Sequence, residues 1–344
     1  MVELAPVNGN AKGIVAPGTN LSITLLSPTL RTYLCRCLET DQSLLRLTLP
    51  KDGGRAALIN QGTEVTLRLP DNSDLCLVGQ VVERNAQGLL IRLHAPGVLE
   101  RTMVVTSGKG GVGKSFISLN LAYELAALGK RVTLLDGDLT GGNLHRLLGV
   151  EPPGELADLF RGQAKVRELI SPVADLFLIP GPRLPVTLTP LALYRLRAEV
   201  AKLMEDVDYL VGDTAVMAYP GTGDLVNMAG GIWLVSTPEP HAIADTYAVA
   251  YQLKEQGINT PVYLVLNQVD SHREASATAE KMCYVIKELV GYPIEYLGAV
   301  RYDRRVRRAV QKGAPLGKAA PGCGARKDLL QLVKAWVNRH RNQG

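Results

Sequence analysis

The residues best suited to chemistry lie in one glycine-rich segment in the first half of the chain. Its two lysines, Lys109 and Lys114, precede Ser115 and combine positive charge with a hydroxyl. Backbone N–H groups between glycines surround a polyphosphate, a lysine neutralises its charge, and a hydroxyl binds Mg²⁺. Gly108 and Gly113 complete the spacing G-x-x-x-x-G-K-S. The segment reads Thr106-Ser107-Gly108-Lys109-Gly110-Gly111-Val112-Gly113-Lys114-Ser115.

The stretches on either side predict how this segment is held. Residues 103–105 are an apolar run typical of a buried strand, and residues 116–128 have helical periodicity. A helix N-terminus favours phosphate because it has unpaired N–H groups and the positive end of a dipole. We therefore expect the following residues to bind a nucleotide: Gly108, Gly110, Gly111, Val112, Gly113, Lys114, Ser115 and Phe116.

Lys109 follows the first glycine directly, which makes the loop similar to the deviant Walker A motif of the MinD/ParA family. In that family this lysine reaches across a dimer interface to the partner's nucleotide. The resemblance implies ATP and Mg²⁺ as cofactors and an ATP-dependent homodimer. It also implies a slow, partner-stimulated ATPase in which Lys109 and Lys114 act on the phosphates.

Three aspartates complete the expected site. Asp136 and Asp138 follow the apolar residues 132–135 and resemble the family's switch I, D-x-D-L-x-x-x-N-L. The resemblance assigns Asp138 to the attacking water and puts Asp136 nearer the metal. Asp213 ends another apolar run and resembles the Walker B aspartate that holds Mg²⁺. Hydrolysis of ATP depends mainly on positioning and charge neutralisation, so one carboxylate aimed at the water suffices. The expected metal ligands are Ser115, Asp136 and Asp213.

The chain departs from the family after Asp213. Typical members continue with a glycine that lets the backbone approach the γ-phosphate, and the altered segment argues against fast hydrolysis. Asn267 occupies the place of an asparagine that the family uses against adenine. The run from Asn267 to Asp270 also suggests the guanine-reading N-K-x-D signature, but Gln268 in place of lysine favours ATP. The altered segment reads Ala215-Val216-Met217-Ala218-Tyr219-Pro220-Gly221.

A further segment resembles one branch of the family. It is similar to the T-P-E-P…D-A-Y-A sequence of the FlhG branch, also called FleN, which regulates flagellar number. The iron–sulfur proteins of the wider superfamily are disfavoured because no Cys-x-x-Cys follows either switch. The residues that carry the resemblance are Thr237-Pro238-Glu239-Pro240 and Asp245-Thr246-Tyr247-Ala248.

Apolar strands alternate with helical patterns beyond residue 101. This alternation predicts an α/β fold, with a mostly parallel sheet covered by helices on both faces and ligands at the carboxyl ends of the strands. The predicted strands are residues 103–105, 132–135, 176–179, 209–211, 232–235, 262–266 and 296–300. The predicted helices are residues 116–128, 190–204, 242–256, 275–290 and 328–339.

The N-terminal part has a different pattern. We expect a disordered tail over residues 1–20, a small β-barrel over residues 21–98 and the ATPase domain over residues 101–344. Residues 20–95 resemble the N-terminal barrel of flagellar-brake (YcgR-like) proteins, in which a PilZ domain follows, and the resemblance is carried by residues 33–36, 47–50 and 61–67. That family's cyclic di-GMP site needs an R-x-x-x-R segment after the barrel, and residues 92–101 do not supply one. A protein-docking or structural barrel is therefore favoured over cyclic di-GMP binding.

Composition and charge suggest the compartment and the partners. Five cysteines without paired spacing fit a reducing cytoplasm, and the first twenty residues lack a signal-peptide core. Residues 301–344 hold twelve basic and two acidic side chains, which favours an anionic partner for this end. Residues 328–341 form an apolar stripe that indicates core packing, with peripheral membrane contact as the alternative. A position at the inner face of the membrane or at the cell pole stays open.

These features predict an ATP-dependent dimerising switch of the MinD/ParA family, with a flagellar or polar partner and a role in flagellar number or placement. Two alternatives remain. The basic C-terminal end favours a ParA-like partition ATPase that binds DNA non-specifically. The altered segment after Asp213 favours a nucleotide-gated scaffold with little turnover.

Overall fold

A computed structural model describes the chain in two compact units. One unit is Met1–Leu99 together with Thr189–Glu205, and the other is Glu100–Leu188 together with Asp206–Gly344. The residues described are 15–25, 31–41, 44–52, 55–57, 59–61, 63–69, 72–93 and 101–341.

Strands dominate the N-terminal unit and form the centre of the other. The strands are β1 (Asn20–Leu25), β2 (Arg31–Asp41), β3 (Leu44–Leu47), β4 (Lys51–Asp52), β5 (Arg55–Ala56), β6 (Glu64–Leu69), β7 (Asn72–Asn85), β8 (Gly88–Leu93), β9 (Thr102–Thr106), β10 (Val132–Gly137), β11 (Ser171–Val173), β12 (Leu176–Ile179), β13 (Tyr209–Thr214), β14 (Gly231–Ser236), β15 (Val262–Val269) and β16 (Glu295–Arg301).

Helices follow most of the later strands. The helices are α1 (Lys114–Ala127), α2 (Leu144–Leu147), α3 (Leu156–Arg161), α4 (Val166–Leu169), α5 (Pro190–Leu203), α6 (Thr222–Val226), α7 (Pro240–Glu255), α8 (His272–Val285), α9 (Arg304–Gln311), α10 (Leu316–Ala319) and α11 (Gly324–Arg341), and a π-helical turn at Ile286–Val290 extends α8.

In the N-terminal unit the strands pair antiparallel. Strand β1 pairs with β2 on one side and with β6 on the other, which gives the closed order β1-β2-β3-β8-β7-β6. Alternate residues of β1 are buried, as expected for strands with one face on a core. Val15 is fully buried in that core, and Gly18 N–H donates to the carbonyl of Cys37. The disordered tail expected over residues 1–20 is therefore wrong for residues 15–20, and residues 1–14 lie outside the described residues.

Helix α5 departs from the domain boundary expected from the sequence. The predicted N-cap is present, because Thr189 Oγ1 accepts a hydrogen bond of 3.2 Å from the N–H of Ala192. The sequence placed α5 inside the ATPase domain, residues 101–344. Its contacts group it with the N-terminal unit instead, because it packs against β7.

The second unit is built on a sheet in the order β11-β12-β10-β13-β9-β14-β15-β16. All its strand pairs are parallel except β11 with β12. Met103 and Val105 of β9 belong to the core on one face, and Val104 belongs to the core on the other. Helices α1 and α11 contribute to the first core, and α7 and α8 to the second. The predicted parallel sheet with helices on both faces is thus confirmed.

Helix α11 carries the apolar stripe recognised in the sequence. Its large apolar residues are buried in the core, and Trp336 makes an edge contact with Tyr209 at a ring-centroid distance of 5.6 Å. The stripe therefore packs against the sheet, as favoured from the sequence. Within the described part of the chain, no helix has the length and apolar character needed to cross a membrane.

Candidate nucleotide-binding site

The glycine-rich loop joins β9 to α1 at the carboxyl edge of the sheet. Gly111 and Gly113 have φ angles of 81° and 98°, a region that favours glycine strongly. A Cβ atom at Gly110 or Gly111 would meet no atom of the described residues within 4 Å, so the loop has room for a ligand there. Helix α1 begins at Lys114 with no side-chain cap and no acidic residue in its first turn. Such an uncapped helix start binds anions well.

Ser115 and Asp213 form the pair best suited to Mg²⁺. The Ser115 hydroxyl donates a hydrogen bond to Asp213, yet Asp213 Oδ1 has no hydrogen-bond partner among the residues described, and the side chain is 2% exposed. Burial and the charge of Asp136 raise the pKa of Asp213 to about 7, against the opposing effects of Ser115 and Lys114. A cation would supply the missing interaction at Oδ1. Mg²⁺ is usually held by one or two carboxylates together with phosphates, so this donor set fits it.

Asp136 is used differently from its neighbour. Its Oδ2 accepts a hydrogen bond of 2.9 Å from the N–H of Leu144, and its Oδ1 accepts one of 3.3 Å from the N–H of Asp138. Gly142 packs so closely that a Cβ atom there would lie 2.7 Å from Oδ2. Burial raises the pKa of Asp136 to about 6. Both oxygens are bonded to loop backbone, so Asp136 holds the switch I loop, and its expected place near the metal stays a prediction.

Asp138 lies beside the glycine-rich loop. Its Oδ1 accepts hydrogen bonds from Thr140, at 2.9 Å from the backbone N–H and 2.5 Å from the hydroxyl. Asp213 and Asp138 both favour the charged form of Lys114, although burial has the larger effect and lowers the pKa of that lysine. The structure therefore brings the expected water-orienting carboxylate close to the loop lysine.

Val112 and Phe116 face away from the open side of the loop. Val112 is buried in the core of that face, and Phe116 packs against the same core. These two residues were expected in the nucleotide site. Only their backbone groups remain suited to it, because both side chains serve the core.

Asn267 is tied to the loop from the end of β15. Its Nδ2 donates a hydrogen bond of 2.8 Å to the carbonyl of Val112, and a Cβ atom at Gly113 would lie 2.3 Å from that nitrogen. A carbonyl can only accept, so this contact fixes which side of the amide is Nδ2. The acceptor Oδ1 therefore lies on the side of the amide away from Val112. Gln268 follows with φ of 59° and donates to the carbonyl of Gly111 at 3.5 Å.

The segment that replaces the family's glycine is docked on the loop. The N–H of Met217 donates a hydrogen bond of 2.9 Å to the carbonyl of Ser107, and the Met217 side chain is buried in the second core. This backbone donor is engaged within the protein, in agreement with the departure noted in the sequence.

Glu239 is a residue to which the sequence assigned no role. Its Oε2 lies 3.4 Å from Nζ of Lys109, the lysine expected to reach a partner subunit. The signal for it was its position between Pro238 and Pro240 at the start of a helix. That pattern indicates a rigid carboxylate but does not reveal which cation it meets.

Comparisons with known proteins agree with this geometry. The family model described as "ParA: NUBPL iron-transfer P-loop NTPase" matches residues 98–337. The antiactivator FleN of Pseudomonas aeruginosa is 34% identical over 244 residues, which are 69% of this chain and 87% of FleN. The flagellum site-determining protein YlxH of Helicobacter pylori is 34% identical over 244 residues, 69% of this chain and 82% of YlxH. The cell division ATPase MinD of Pyrococcus furiosus superposes with a TM-score of 0.58 at 25% identity, covering 70% of this chain and 99% of MinD.

The fold and the site define a P-loop NTPase with a deviant Walker A loop. The chain belongs to the ParA/MinD family of P-loop ATPases. The family match begins at residue 98, so the resemblance of the N-terminal unit to flagellar-brake barrels stays a prediction.

Proposed function

We propose that the chain is an ATP-dependent dimerising switch that hydrolyses ATP. The observation that carries this proposal is the gathering of Lys114, Ser115, Asp138 and Asp213 around the loop that bears Lys109. Loop N–H groups and Lys114 bind the phosphates, and Ser115 and Asp213 hold Mg²⁺. The metal supplies charge neutralisation when bound, and Asp138 orients the water for in-line attack.

The base is adenine. The contact between Asn267 and Val112 leaves an acceptor, Oδ1, on the other side of the amide. An acceptor pairs with the exocyclic amino group of adenine and opposes the carbonyl oxygen that guanine has in the same place. Gln268 is engaged with Gly111 and does not supply the lysine of a guanine signature.

Two subunits close face to face when ATP is bound, and each Lys109 contributes to the other subunit's phosphates. Binding then changes the affinity for partners, because ATP stabilises one of two states. Light scattering with Mg²⁺ and either ADP or a non-hydrolysable ATP analogue tests this. We expect monomers with ADP, dimers with the analogue, and monomers in both for Lys109→Ala. Wild-type protein that stays monomeric with saturating analogue would refute the switch.

The output is control of flagellar number or placement. Its support is the sequence similarity to YlxH, a flagellum site-determining protein, together with the segment around Glu239 that resembles the FleN branch. Deleting the gene and counting flagella per cell tests it, with complementation by wild type and by Lys114→Ala as the control pair. Unchanged number and position in the deletion strain would remove this role.

A second candidate, non-specific DNA binding, is favoured by the exposed side of α9. Arg304, Arg307 and Arg308 are exposed there and form no ion pair within the described part of the chain. Binding of random DNA that requires ATP and weakens steeply with salt would support it. No binding at low salt would exclude it.

Peripheral membrane contact has narrower support. In the part of the chain that the structure describes, the large apolar residues of α11 are buried or half-buried and leave no apolar face to insert, and α9 combines exposed arginines with one exposed apolar side chain, Val310. Co-sedimentation with anionic vesicles and, in parallel, with DNA distinguishes membrane binding from DNA binding. Each is measured with ADP and with the ATP analogue. A position at the inner face of the membrane or at the cell pole requires either that the protein binds vesicles in this experiment or that a protein partner holds it there.

A nucleotide-gated scaffold with little turnover is the third candidate. Its support is the Met217 N–H, which donates to Ser107 and is therefore engaged away from a phosphate. Steady ATP turnover that disappears in Asp138→Ala would reject the scaffold. Turnover at the same background level in both proteins would favour it.

A further inference from the structure

We propose that Glu239 restrains Lys109 in the unpaired subunit and so raises the protein concentration needed for ATP-dependent dimerisation. This inference rests on the proposed function, because it assumes that Lys109 must move to the partner's nucleotide. The two side chains meet within one chain, with Nζ and Oε2 3.4 Å apart. The same amine cannot bind Glu239 and the phosphates of another subunit at once.

The backbone beneath Lys109 is fixed. The Ser107 hydroxyl donates a hydrogen bond of 2.7 Å to the carbonyl of Lys109. A Cβ atom at Gly108 would lie 2.4 Å from the carbonyl oxygen of Asp245, so only glycine allows α7 to pack this closely on the loop. This close approach brings the start of α7 within reach of the lysine side chain.

The backbone of Glu239 is equally well fixed, and among the described residues its carboxylate has no partner other than Lys109. Glu239 is the N-cap residue of α7, with φ of −67° and ψ of 137°, and Pro238 and Pro240 on either side restrict its backbone. N-cap side chains usually accept a hydrogen bond from their own helix, but the Glu239 side chain makes no such bond. Its carboxylate is directed to Lys109 instead.

Exposure limits the strength of the restraint. The Lys109 and Glu239 side chains are 40% and 66% exposed, and an ion pair with such access to water shifts an equilibrium by at most about 5-fold. A symmetric dimer releases two such pairs, which gives up to about 25-fold in the dimer dissociation constant. ATP overcomes a restraint of this size, because the released Lys109 side chain is then attracted by the phosphate charges in the opposite subunit. ADP has fewer charges to offer.

The test compares Glu239→Gln with Glu255→Gln, which makes the same charge change at the exposed far end of α7. Sedimentation equilibrium with Mg²⁺ and a non-hydrolysable ATP analogue measures the dimer dissociation constant. We expect Glu239→Gln to tighten it by about 3- to 25-fold and Glu255→Gln to leave it within about 2-fold of wild type. Affinity for a fluorescent ADP, which reports on the single subunit, is expected to stay unchanged in both variants.

The outcomes separate this inference from the proposed function. If wild type dimerises and Glu239→Gln dimerises equally or more weakly with ADP affinity intact, the restraint is refuted and the switch stands. If wild type and both variants bind the analogue and remain monomeric at every concentration, the switch itself fails. If Glu255→Gln also dimerises more tightly, the change in net charge explains the effect, and a specific role for Glu239 is refuted.

Discussion

Asp136 and Asp213 stand side by side in register on the adjacent parallel strands β10 and β13, but their carboxylates have different partners. Backbone N–H groups of the switch I loop bind both oxygens of Asp136. Asp213 accepts a hydrogen bond from Ser115 and keeps Oδ1 without a protein partner in the described residues. Two acidic residues at the same level of the sheet thus differ in what they bind: Asp136 holds a loop, and Asp213 is available to Mg²⁺.

Asp213→Asn should stabilise the unliganded protein while weakening Mg²⁺-dependent ATP binding. The folded-state pKa of about 7 exceeds the unfolded value of about 3.9, so the folded state binds this proton more tightly. Wild type therefore loses stability as the pH rises from about 4 to about 7, and the amide avoids that loss. Denaturant unfolding should give a gain of ~4 kcal/mol near pH 8 and almost none near pH 4. An equal change at both pH values would contradict this account.

Asp136→Ala should loosen switch I without removing the dependence on Mg²⁺. Two hydrogen bonds from backbone to a charged group are lost, at about 1.5–3 kcal/mol each, and the N–H of Leu144 is left without its acceptor. Hydrogen exchange should quicken across residues 138–144, and nucleotide binding should still respond to Mg²⁺. Asp213→Asn is the matched comparison, and a loss of metal dependence in Asp136→Ala as complete as in Asp213→Asn would make Asp136 a metal ligand.

Asn267→Asp should weaken ATP binding by about 10- to 100-fold, because a carboxylate would face the carbonyl of Val112 without a hydrogen to share. The loop would lose the hydrogen bond from Asn267 to Val112, which holds the Asn267 amide against Gly113. Competition binding with ATP and GTP measures both affinity and base preference. Gln268→Ala removes only a 3.5 Å contact and serves as the control, with a change of about 2-fold or less. Equal losses in the two variants would disprove the role of Asn267.

The sequence predicted the parallel sheet and the loop because both depend on local patterns. Apolar runs of strand length and the glycine spacing persist in any context that folds. Strand β11 was missed because it is three residues long and contains Pro172. The association of α5 with the N-terminal unit depends on contacts distant in sequence, which no local pattern records.

The same distinction applies within the site. The roles proposed for Lys114 and Ser115 could be inferred from the sequence because they follow from neighbours along the chain. The contacts of Asp136 and Glu239 depend on groups that folding brings near them. These are the backbone N–H of Leu144 for Asp136 and the side chain of Lys109 for Glu239. Carboxylate identity alone does not show whether an oxygen meets a metal, a loop or a lysine.

Trp336→Ala tests whether α11 serves the core or a membrane. Trp336 is fully buried and contacts Tyr209, so its truncation should lower the free energy of unfolding by about 3–5 kcal/mol. Lys334→Ala, on the exposed side of the same helix, should change it by less than about 0.5 kcal/mol. Denaturant unfolding measures both values. A membrane-inserting residue would give the reverse result, with stability unchanged and vesicle binding lost in Trp336→Ala, because its ring would then contact lipid rather than the sheet.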